Sequence, residues 1–321
     1  MNIKYFLKLI RIHNLLIAGG LMAMIKFCVI DPMLAIFNLT PTFTWLDEAF
    51  LMASVMFVAA GGYVINDYFD TKSDVVNRPN ERIVGCEISR GTAASMHIVF
   101  SVVGCIFGML ASLRIGFWQL GLLYPFVVGL LWFYSSAYKG MFLVGNIVVA
   151  LLTAIVPILP SLYEMRGLLQ IDNPCISMGV FDPIVILYWS VGYGVFAFGT
   201  TLVREIIKDA EDEHGDLIQG CRTLPIVLGT VGVKIVVSVL ILCIVAALSV
   251  VYVNFLNEIK TAIYIGVAVL LPLLFLLFRV LTAKTKVDWH FCSVVAKIIM
   301  VLGILYLILV RYNFVIFKTE F

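Results

Sequence analysis

A long apolar run that ends in regularly spaced aspartates occupies residues 51–74, LMASVMFVAAGGYVINDYFDTKSD. A second run of the same kind occupies residues 195–216, VFAFGTTLVREIIKDAEDEHGD. Both runs end in the pattern D-x-x-D-x-x-x-D, and the six aspartates are Asp67, Asp70, Asp74, Asp209, Asp212 and Asp216. On a helix these positions share one face, because residues three, four and seven apart point in nearly the same direction. Each run therefore predicts a membrane helix with three carboxylates on one side, at the level where the membrane meets water.

The composition indicates a polytopic membrane protein. Of the 321 residues, 62% are hydrophobic and 13% are charged, and the mean hydropathy is +1.06. Soluble domains are typically about 45–50% apolar and about 25% charged. The net charge of +2 gives no indication of a nucleic-acid partner. The seven cysteines form no C-x-x-C pair, so we interpret them as small apolar side chains within helices.

Nine apolar stretches approach the length of about 20 residues that a helix needs to cross a bilayer. They are residues 10–30, 46–66, 93–113, 116–136, 140–162, 184–204, 225–253, 258–280 and 291–314. We predict an all-α fold, a polytopic membrane protein in which these helices bundle around a central cavity. The whole chain, residues 1–321, is expected to form one transmembrane domain. Because the acidic clusters follow spans two and six, the order is compatible with a duplicated four-helix unit.

The distribution of lysine and arginine predicts the orientation in the membrane. With a cytoplasmic N-terminus, 16 of the 22 basic residues lie on the cytoplasmic side and six on the other. This bias follows the positive-inside rule and indicates an inner, cytoplasmic membrane. Both acidic clusters are then expected on the cytoplasmic side, in the loops after spans two and six. No cleavage site follows the basic N-terminal segment, so we expect the first span to be retained.

The clusters predict a site for Mg²⁺ and a diphosphate. Closely spaced carboxylates repel one another and call for cations, and Mg²⁺ prefers carboxylate, water and phosphate oxygens. All six aspartates are candidate metal ligands, and Asp67, Asp70, Asp209 and Asp212 are the candidate catalytic residues. The amide of Asn66 would orient a carboxylate or a water. The basic side chains interleaved with the clusters would contact phosphate oxygens; they are Arg78, Arg82, Arg204, Lys208 and Arg222.

Such a site would stabilise a diphosphate that leaves an allylic carbon, because it neutralises the charge developing on the leaving group. The carbocation left behind needs a dry pocket with aromatic faces. Aromatic candidates near the cytoplasmic side are Tyr63, Tyr134, Tyr138, Tyr193 and Phe198. Core packing or contact with lipid accounts for any single one of them more simply. His214, inside the second cluster, is a candidate base for an acceptor hydroxyl, but a solvated loop histidine is the simpler interpretation.

At these residues the chain resembles the UbiA superfamily of intramembrane prenyltransferases. The family pattern N-D-x-x-D-x-x-x-D is met by Asn66, Asp67, Asp70 and Asp74, with an N-R-P-x-x-R continuation through Arg78 to Arg82. The second family pattern is met by Asp209, Asp212 and Asp216 and by Thr223-Leu224-Pro225. Arg11-Ile12-His13-Asn14 is similar to an R-P-x-N entry, and Tyr134–Lys139 is similar to a Y-[ST]-x-x-x-K segment. The resemblance implies that Asn14 lines a polar cavity, that Tyr134 is a substrate-binding residue and that Lys139 helps to bind diphosphate.

The resemblance implies a Mg²⁺-dependent transfer of a prenyl group from an isoprenoid diphosphate to a lipid or aromatic acceptor within the membrane. The segment 204–216 looks most like that of digeranylgeranylglyceryl phosphate synthases, which form an ether lipid. Prenylation of an aromatic quinone precursor remains an alternative. A cation or metabolite transporter is another, because intramembrane acids commonly mark ion paths, although these acids lie at the interface and not at the midplane. A lipid-binding scaffold without turnover is a third. The sequence does not indicate a dimer.

Overall fold

The computed structural model describes residues 3–71, 75–76 and 82–320. A short helix, α1 (Ile3–Leu9), opens the chain. Nine helices of the described chain are long and apolar enough to cross a membrane. They are α2 (Ile12–Ile36), α3 (Trp45–Phe69), α4 (Arg90–Arg114), α5 (Trp118–Ser136), α6 (Val144–Leu168), α7 (Ile184–Gln219), α8 (Leu224–Leu256), α9 (Ile259–Thr282) and α10 (Lys286–Phe317). The predicted all-α class with nine spans is confirmed.

The largest difference from the predicted boundaries concerns α7. The prediction ended this span at residue 204, where the apolar run stops, but the helix continues to Gln219. The segment beyond 204 contains no proline, and Lys208 and Asp212 are four residues apart, a spacing that stabilises a helix. Gly220 then ends the helix with a left-handed φ of 75°. The prediction that the second acidic cluster lies in a loop is therefore wrong, because its aspartates belong to the last turns of α7.

The chain divides into two compact units. Unit 1 comprises Met1–Ala137, Ile155–Gly194 and Val310–Phe321, and unit 2 comprises Tyr138–Ala154 and Val195–Leu309. The first acidic cluster therefore belongs to unit 1 and the second to unit 2. The single domain and the duplicated four-helix unit stay predictions.

In unit 1, helices α3 and α4 pack closely through small residues. Ser54 on α3 donates a hydrogen bond to the carbonyl oxygen of Gly104 on α4, at 2.7 Å. A Cβ atom on Gly104 would lie 2.7 Å from Cγ2 of Val58 and 3.0 Å from its backbone nitrogen. Membrane helices associate through such contacts, because lipid tails provide no hydrophobic driving force between helices. This packing fixes the helix that carries the first acidic cluster.

The opposite end of α3 is fixed by buried charged groups. The fully buried Glu164 accepts hydrogen bonds from the backbone nitrogens of Thr42 (2.7 Å) and Phe43 (3.1 Å), just before α3 begins. Lys26, also buried, donates to the carbonyl oxygen of Phe43 at 2.6 Å. Thr44 and Asp47 form a capping box at the start of α3. These bonds satisfy backbone groups that lipid would leave unpaired, so the start of α3 has a defined position.

Unit 2 has its own apolar core. Fully or almost fully buried residues from four of its helices meet there, among them Ile206 on α7, Val237 on α8, Leu276 on α9 and Ile299 on α10. Ile206 and Ile207 lie in the turn before Asp209. Burial of this face of α7 therefore fixes the rotation of the helix, and with it the direction of the second acidic cluster.

Candidate active site

The first acidic cluster lies at the end of α3. Asp67 occupies its last turn, and Asp70 is the residue after its end, where its backbone N–H donates to the carbonyl oxygen of Asn66 at 2.9 Å. The side-chain amide of Asn66 donates to Oδ2 of Asp70 at 2.7 Å, and both residues are buried. Oδ1 of Asn66 is buried without a hydrogen-bond partner. The predicted orienting role of Asn66 therefore has a geometric basis in the Asp70 carboxylate.

Arg11 provides a positive charge for this cluster. Its Nη2 atom lies 3.0 Å from Oδ1 of Asp67, and its guanidinium group lies over the ring of Tyr63, 4.8 Å from the centroid. Burial lowers the pKa of Arg11, but the neighbouring Asp67, Tyr63 and Asp70 outweigh it and hold that pKa above its usual value. Arg11 therefore stays charged and neutralises part of the acidic cluster.

The backbone at Arg11 supports this contact. The residue links α1 to α2 in a left-handed conformation, with φ 50° and ψ 53°. For a residue other than glycine this conformation costs about 1 kcal/mol or more. One turn further on, Asn14 lies with its amide nitrogen 3.4 Å from the hydroxyl oxygen of Tyr63. Asn14, which the family resemblance implied to be a cavity residue, thus contacts the same tyrosine as Arg11.

Some of the predicted residues near the first cluster lie outside the described part of the chain. These are Asp74 and Arg78. Arg82 is described: its Nη2 donates to Sγ of Cys86 at 2.9 Å, and its Nε is buried without a hydrogen-bond partner. Tyr134 lies half-buried in the last turns of α5.

The second cluster lies on the C-terminal turns of α7. The buried Asn146, near the start of α6, donates from its side-chain amide to Oδ2 of Asp209 at 2.7 Å. Asp216 is buried, and Asp212 is half-buried. Glu211 lies between Asp209 and Asp212 in the sequence, and its Oε1 atom lies 3.0 Å from Nδ1 of His290 on α10. Helices α6 and α10 thus hold the acidic end of α7 on both sides.

The predicted phosphate-binding residues of unit 2 divide into two groups. On α7, Arg204 forms an ion pair with its neighbour Glu205 at 2.5 Å, while Lys208 is half-buried. Beyond α7, the backbone N–H of Arg222 donates to the carbonyl oxygen of Gly140 at 2.7 Å. This bond brings the loop after α7 next to the turn that carries Lys139, so two predicted phosphate-binding residues lie in adjacent loops. His214 is exposed, and Phe198 packs against the apolar core of unit 2.

The donor groups fit Mg²⁺, a hard cation that binds oxygen ligands. Within the described residues, however, no three acidic, histidine or cysteine side chains lie close enough to hold a metal ion by themselves. Mg²⁺ is usually bound through one or two carboxylates together with water and substrate phosphates. Oδ1 of Asn66, which has no hydrogen-bond partner, is a further oxygen atom beside Asp70 that could bind the metal ion. When bound, the ion would offset the negative charge of a diphosphate.

Sequence reasoning missed two residues that contact the aspartates, Arg11 and Asn146. Arg11 was noted only as part of the pattern before Asn14. Asn146 is a lone amide within an apolar run, MFLVGNIVVA (141–150), and this was the only signal in the sequence. A buried asparagine in a membrane helix requires a partner, but the pattern does not identify it.

Comparisons with known proteins show the family to which the chain is related. The model of the UbiA prenyltransferase family matches residues 27–309. Digeranylgeranylglyceryl phosphate synthase of Sulfurisphaera tokodaii is 30% identical over 234 residues, which cover 71% of this chain and 71% of that protein. A solved structure of digeranylgeranylglyceryl phosphate synthase has a TM-score of 0.64 and 22% identity, and covers 97% of this chain and 99% of that one.

A second solved structure, a UbiA homologue from Archaeoglobus fulgidus bound to GPP and Mg²⁺, has a TM-score of 0.56 and 16% identity. The match covers 93% of this chain and 98% of that one. At these identities the two solved structures support the fold alone. The family match and the relative from Sulfurisphaera tokodaii show the family.

Proposed function

This chain belongs to the UbiA prenyltransferase family, and we propose that it transfers a geranylgeranyl group from geranylgeranyl diphosphate to geranylgeranylglyceryl phosphate. Membership makes it a membrane-embedded prenyltransferase, as the resemblance in the sequence predicted. The observation that carries the proposal is the pair of D-x-x-D-x-x-x-D clusters, each of which has one aspartate held by a buried asparagine amide.

We propose that the enzyme requires Mg²⁺ and that the two clusters supply its protein ligands. Asp67, Asp70 and Asp74 belong to the first set, and Asp209, Asp212 and Asp216 to the second. The homologue from Archaeoglobus fulgidus binds GPP and Mg²⁺, which supports the same cofactor and an isoprenoid diphosphate here. Mg²⁺ bound to the diphosphate would stabilise the leaving group.

The basic residues would hold the diphosphate by charge-assisted hydrogen bonds. In unit 2 these are Lys139 and Arg222, which lie in adjacent loops, together with Arg204 and Lys208 on α7. In unit 1 they are Arg78 and Arg82. Asn14, Asn66 and Tyr134, which all belong to unit 1, would provide further polar side chains for substrate binding.

The reaction breaks the bond between C1 of the allylic group and the diphosphate oxygen, and the electron pair leaves with the diphosphate. The acceptor hydroxyl oxygen forms the new C–O bond and loses its proton, so the products are an ether lipid, diphosphate and a proton. The basic side chains contribute by stabilising negative charge that increases in the transition state. The apolar helices would exclude water, which would otherwise capture the allylic cation.

The acceptor is supported by the relative from Sulfurisphaera tokodaii, which is named for the synthesis of digeranylgeranylglyceryl phosphate. The sequence of residues 204–216 also resembles that of digeranylgeranylglyceryl phosphate synthases. An aromatic acceptor would yield a product of different mass, so a single assay distinguishes the two acceptor classes.

The test is to incubate membranes containing the protein with geranylgeranyl diphosphate, Mg²⁺ and either geranylgeranylglyceryl phosphate or aromatic acids, followed by mass spectrometry. We expect an ether product that contains one additional geranylgeranyl group. Asp67→Asn and Asp209→Asn should abolish it, whereas Asp172→Asn, which changes an exposed aspartate outside both clusters, should not. Full activity in both cluster variants would refute the metal role, and a product only with aromatic acids would refute the acceptor.

We also propose that the N-terminus and both clusters face the cytoplasm. The support is the distribution of basic residues, of which 16 of 22 fall on that side. The charged diphosphate and phosphate groups of the two amphiphilic substrates would then lie on the cytoplasmic side, while their isoprenoid chains would lie in the lipid phase.

A further inference from the structure

Two buried asparagines make the same bond in the two units. In unit 1, Nδ2 of Asn66 lies 2.7 Å from Oδ2 of Asp70. In unit 2, Nδ2 of Asn146 lies 2.7 Å from Oδ2 of Asp209. Both asparagines have a relative exposure of 7%. The first bond joins residues four apart on one helix, whereas the second joins residues 63 apart on different helices. The second bond is therefore a product of the fold.

An amide is a suitable hydrogen-bond partner for a carboxylate that binds a metal ion. It donates one hydrogen bond to one oxygen and fixes the plane of the carboxylate, while the other oxygen remains available as a ligand. Because the amide carries no charge, it leaves the negative charge of the carboxylate intact for the metal. A guanidinium group in the same place would cancel much of that charge.

We propose that Asn146 is a positioning residue that orients Asp209 for Mg²⁺, the counterpart in unit 2 of Asn66 in unit 1. This inference rests on the proposed function, because it assigns Asn146 to the second metal-binding cluster. It adds a residue that lies outside both aspartate motifs and acts through Asp209 without touching substrate. Residues that orient metal ligands typically change metal affinity or activity about 10- to 100-fold when they are replaced.

The alternative is that the bond only ties α6 to α7. The two roles differ in what they change. A tie would lower thermal stability and leave the metal dependence as it is, whereas a positioning role would raise the metal concentration that is needed. The measurement must therefore follow metal binding and not activity alone.

The decisive variant is Asn146→Leu, which keeps the approximate size of the side chain and removes the donor. Mn²⁺ binding to purified protein would be followed by electron paramagnetic resonance, and Mg²⁺ activation by the prenyl-transfer assay. We expect about a 10- to 100-fold rise in the half-saturating concentration of both ions. Asn146→Gln, which keeps an amide donor one methylene further out, should show a smaller rise and provides a second reading if Asn146→Leu does not fold.

The matched control is Thr153→Val on the same face of α6. Thr153 is half-buried, and its hydroxyl donates to the carbonyl oxygen of Val149 in its own helix, at 2.9 Å. It should leave both half-saturation values unchanged. Unchanged values in the Asn146 variants, with or without a loss of stability, would overturn the inference. Failure of the proposed function is a separate result, because the wild-type protein would then form no prenylated product, while Mn²⁺ binding would still report on Asn146.

Discussion

Replacement of Arg11 by methionine is expected to strengthen metal binding at the first cluster. The guanidinium group of Arg11 lies 3.0 Å from Oδ1 of Asp67, so a metal ion that binds this oxygen must displace it. The side chains of Arg11 and Asp67 are 30% and 20% exposed, so the pair is only partly screened by water. Arg11→Met keeps the apolar stem over Tyr63 and removes the competing charge.

The magnitude follows from the contact. Two unit charges about 4 Å apart attract one another by about 4 kcal/mol at an effective dielectric constant of about 20. Desolvation and side-chain entropy offset most of this, which leaves about 1–2 kcal/mol for a partly buried pair. One factor of ten corresponds to about 1.4 kcal/mol, so the half-saturating Mn²⁺ concentration should fall about 5- to 30-fold.

The assay is electron paramagnetic resonance of Mn²⁺ with purified protein and no substrate, so that a contact between Arg11 and a phosphate cannot contribute. Arg114→Met is the matched control. It removes an arginine that pairs with an aspartate in the same unit, with Nε of Arg114 2.5 Å from Oδ1 of Asp47, at the opposite end of α3. Only Arg11→Met should shift the titration. An unchanged or higher half-saturating concentration in Arg11→Met would refute the competition between arginine and metal.

Three further changes test other parts of the structure. Gly104→Val should lower the free energy of unfolding by about 1–3 kcal/mol, because the new side chain would meet the backbone of Val58. The measurement is denaturation in detergent, and the control is Gly129→Val, where the added side chain would enter open space. Arg222→Ala should raise KM for geranylgeranyl diphosphate about 10-fold or more through the loss of charge-assisted hydrogen bonds, and an unchanged KM would remove Arg222 from the diphosphate site. The exposed Cys86 should react with an impermeant maleimide in inverted membrane vesicles and not in right-side-out ones, and the reverse pattern would contradict the cytoplasmic location of the site.

Hydropathy was sufficient to predict the nine helices, because a span must satisfy its backbone internally and expose apolar side chains to lipid. The same signal failed at the end of α7. There the helix leaves the apolar run at about residue 204 and continues to Gln219 through charged residues, which a hydropathy pattern assigns to a loop. The i, i+3, i+7 spacing of Asp209, Asp212 and Asp216 did contain the correct information, since it places the three side chains on one face of a helix.

The candidate site was predictable where the partners are close in sequence. Asn66 and Asp70 are four residues apart on one helix, so their contact follows from the helical period. Arg11 and Asp67 are 56 residues apart, and Asn146 and Asp209 are 63 apart. Which helix faces which other helix depends on packing, for example on the contact between Gly104 and Val58, and one sequence does not reveal such pairs.

The aspartates therefore have two kinds of partner, and these partners imply different metal affinities. In the first cluster the charged Arg11 is paired with Asp67 and also attracts Asp70, whereas in the second cluster Asp209 accepts a hydrogen bond from the uncharged amide of Asn146. Because a metal ion must compete with Arg11 at the first cluster, we expect the second cluster to bind metal at lower concentration. A wild-type Mn²⁺ titration should then have a tight phase and a weak phase. Arg11→Met should shift only the weak phase to lower concentration, and Asn146→Leu should shift only the tight phase to higher concentration. Movement of both phases in either variant would contradict this division of roles.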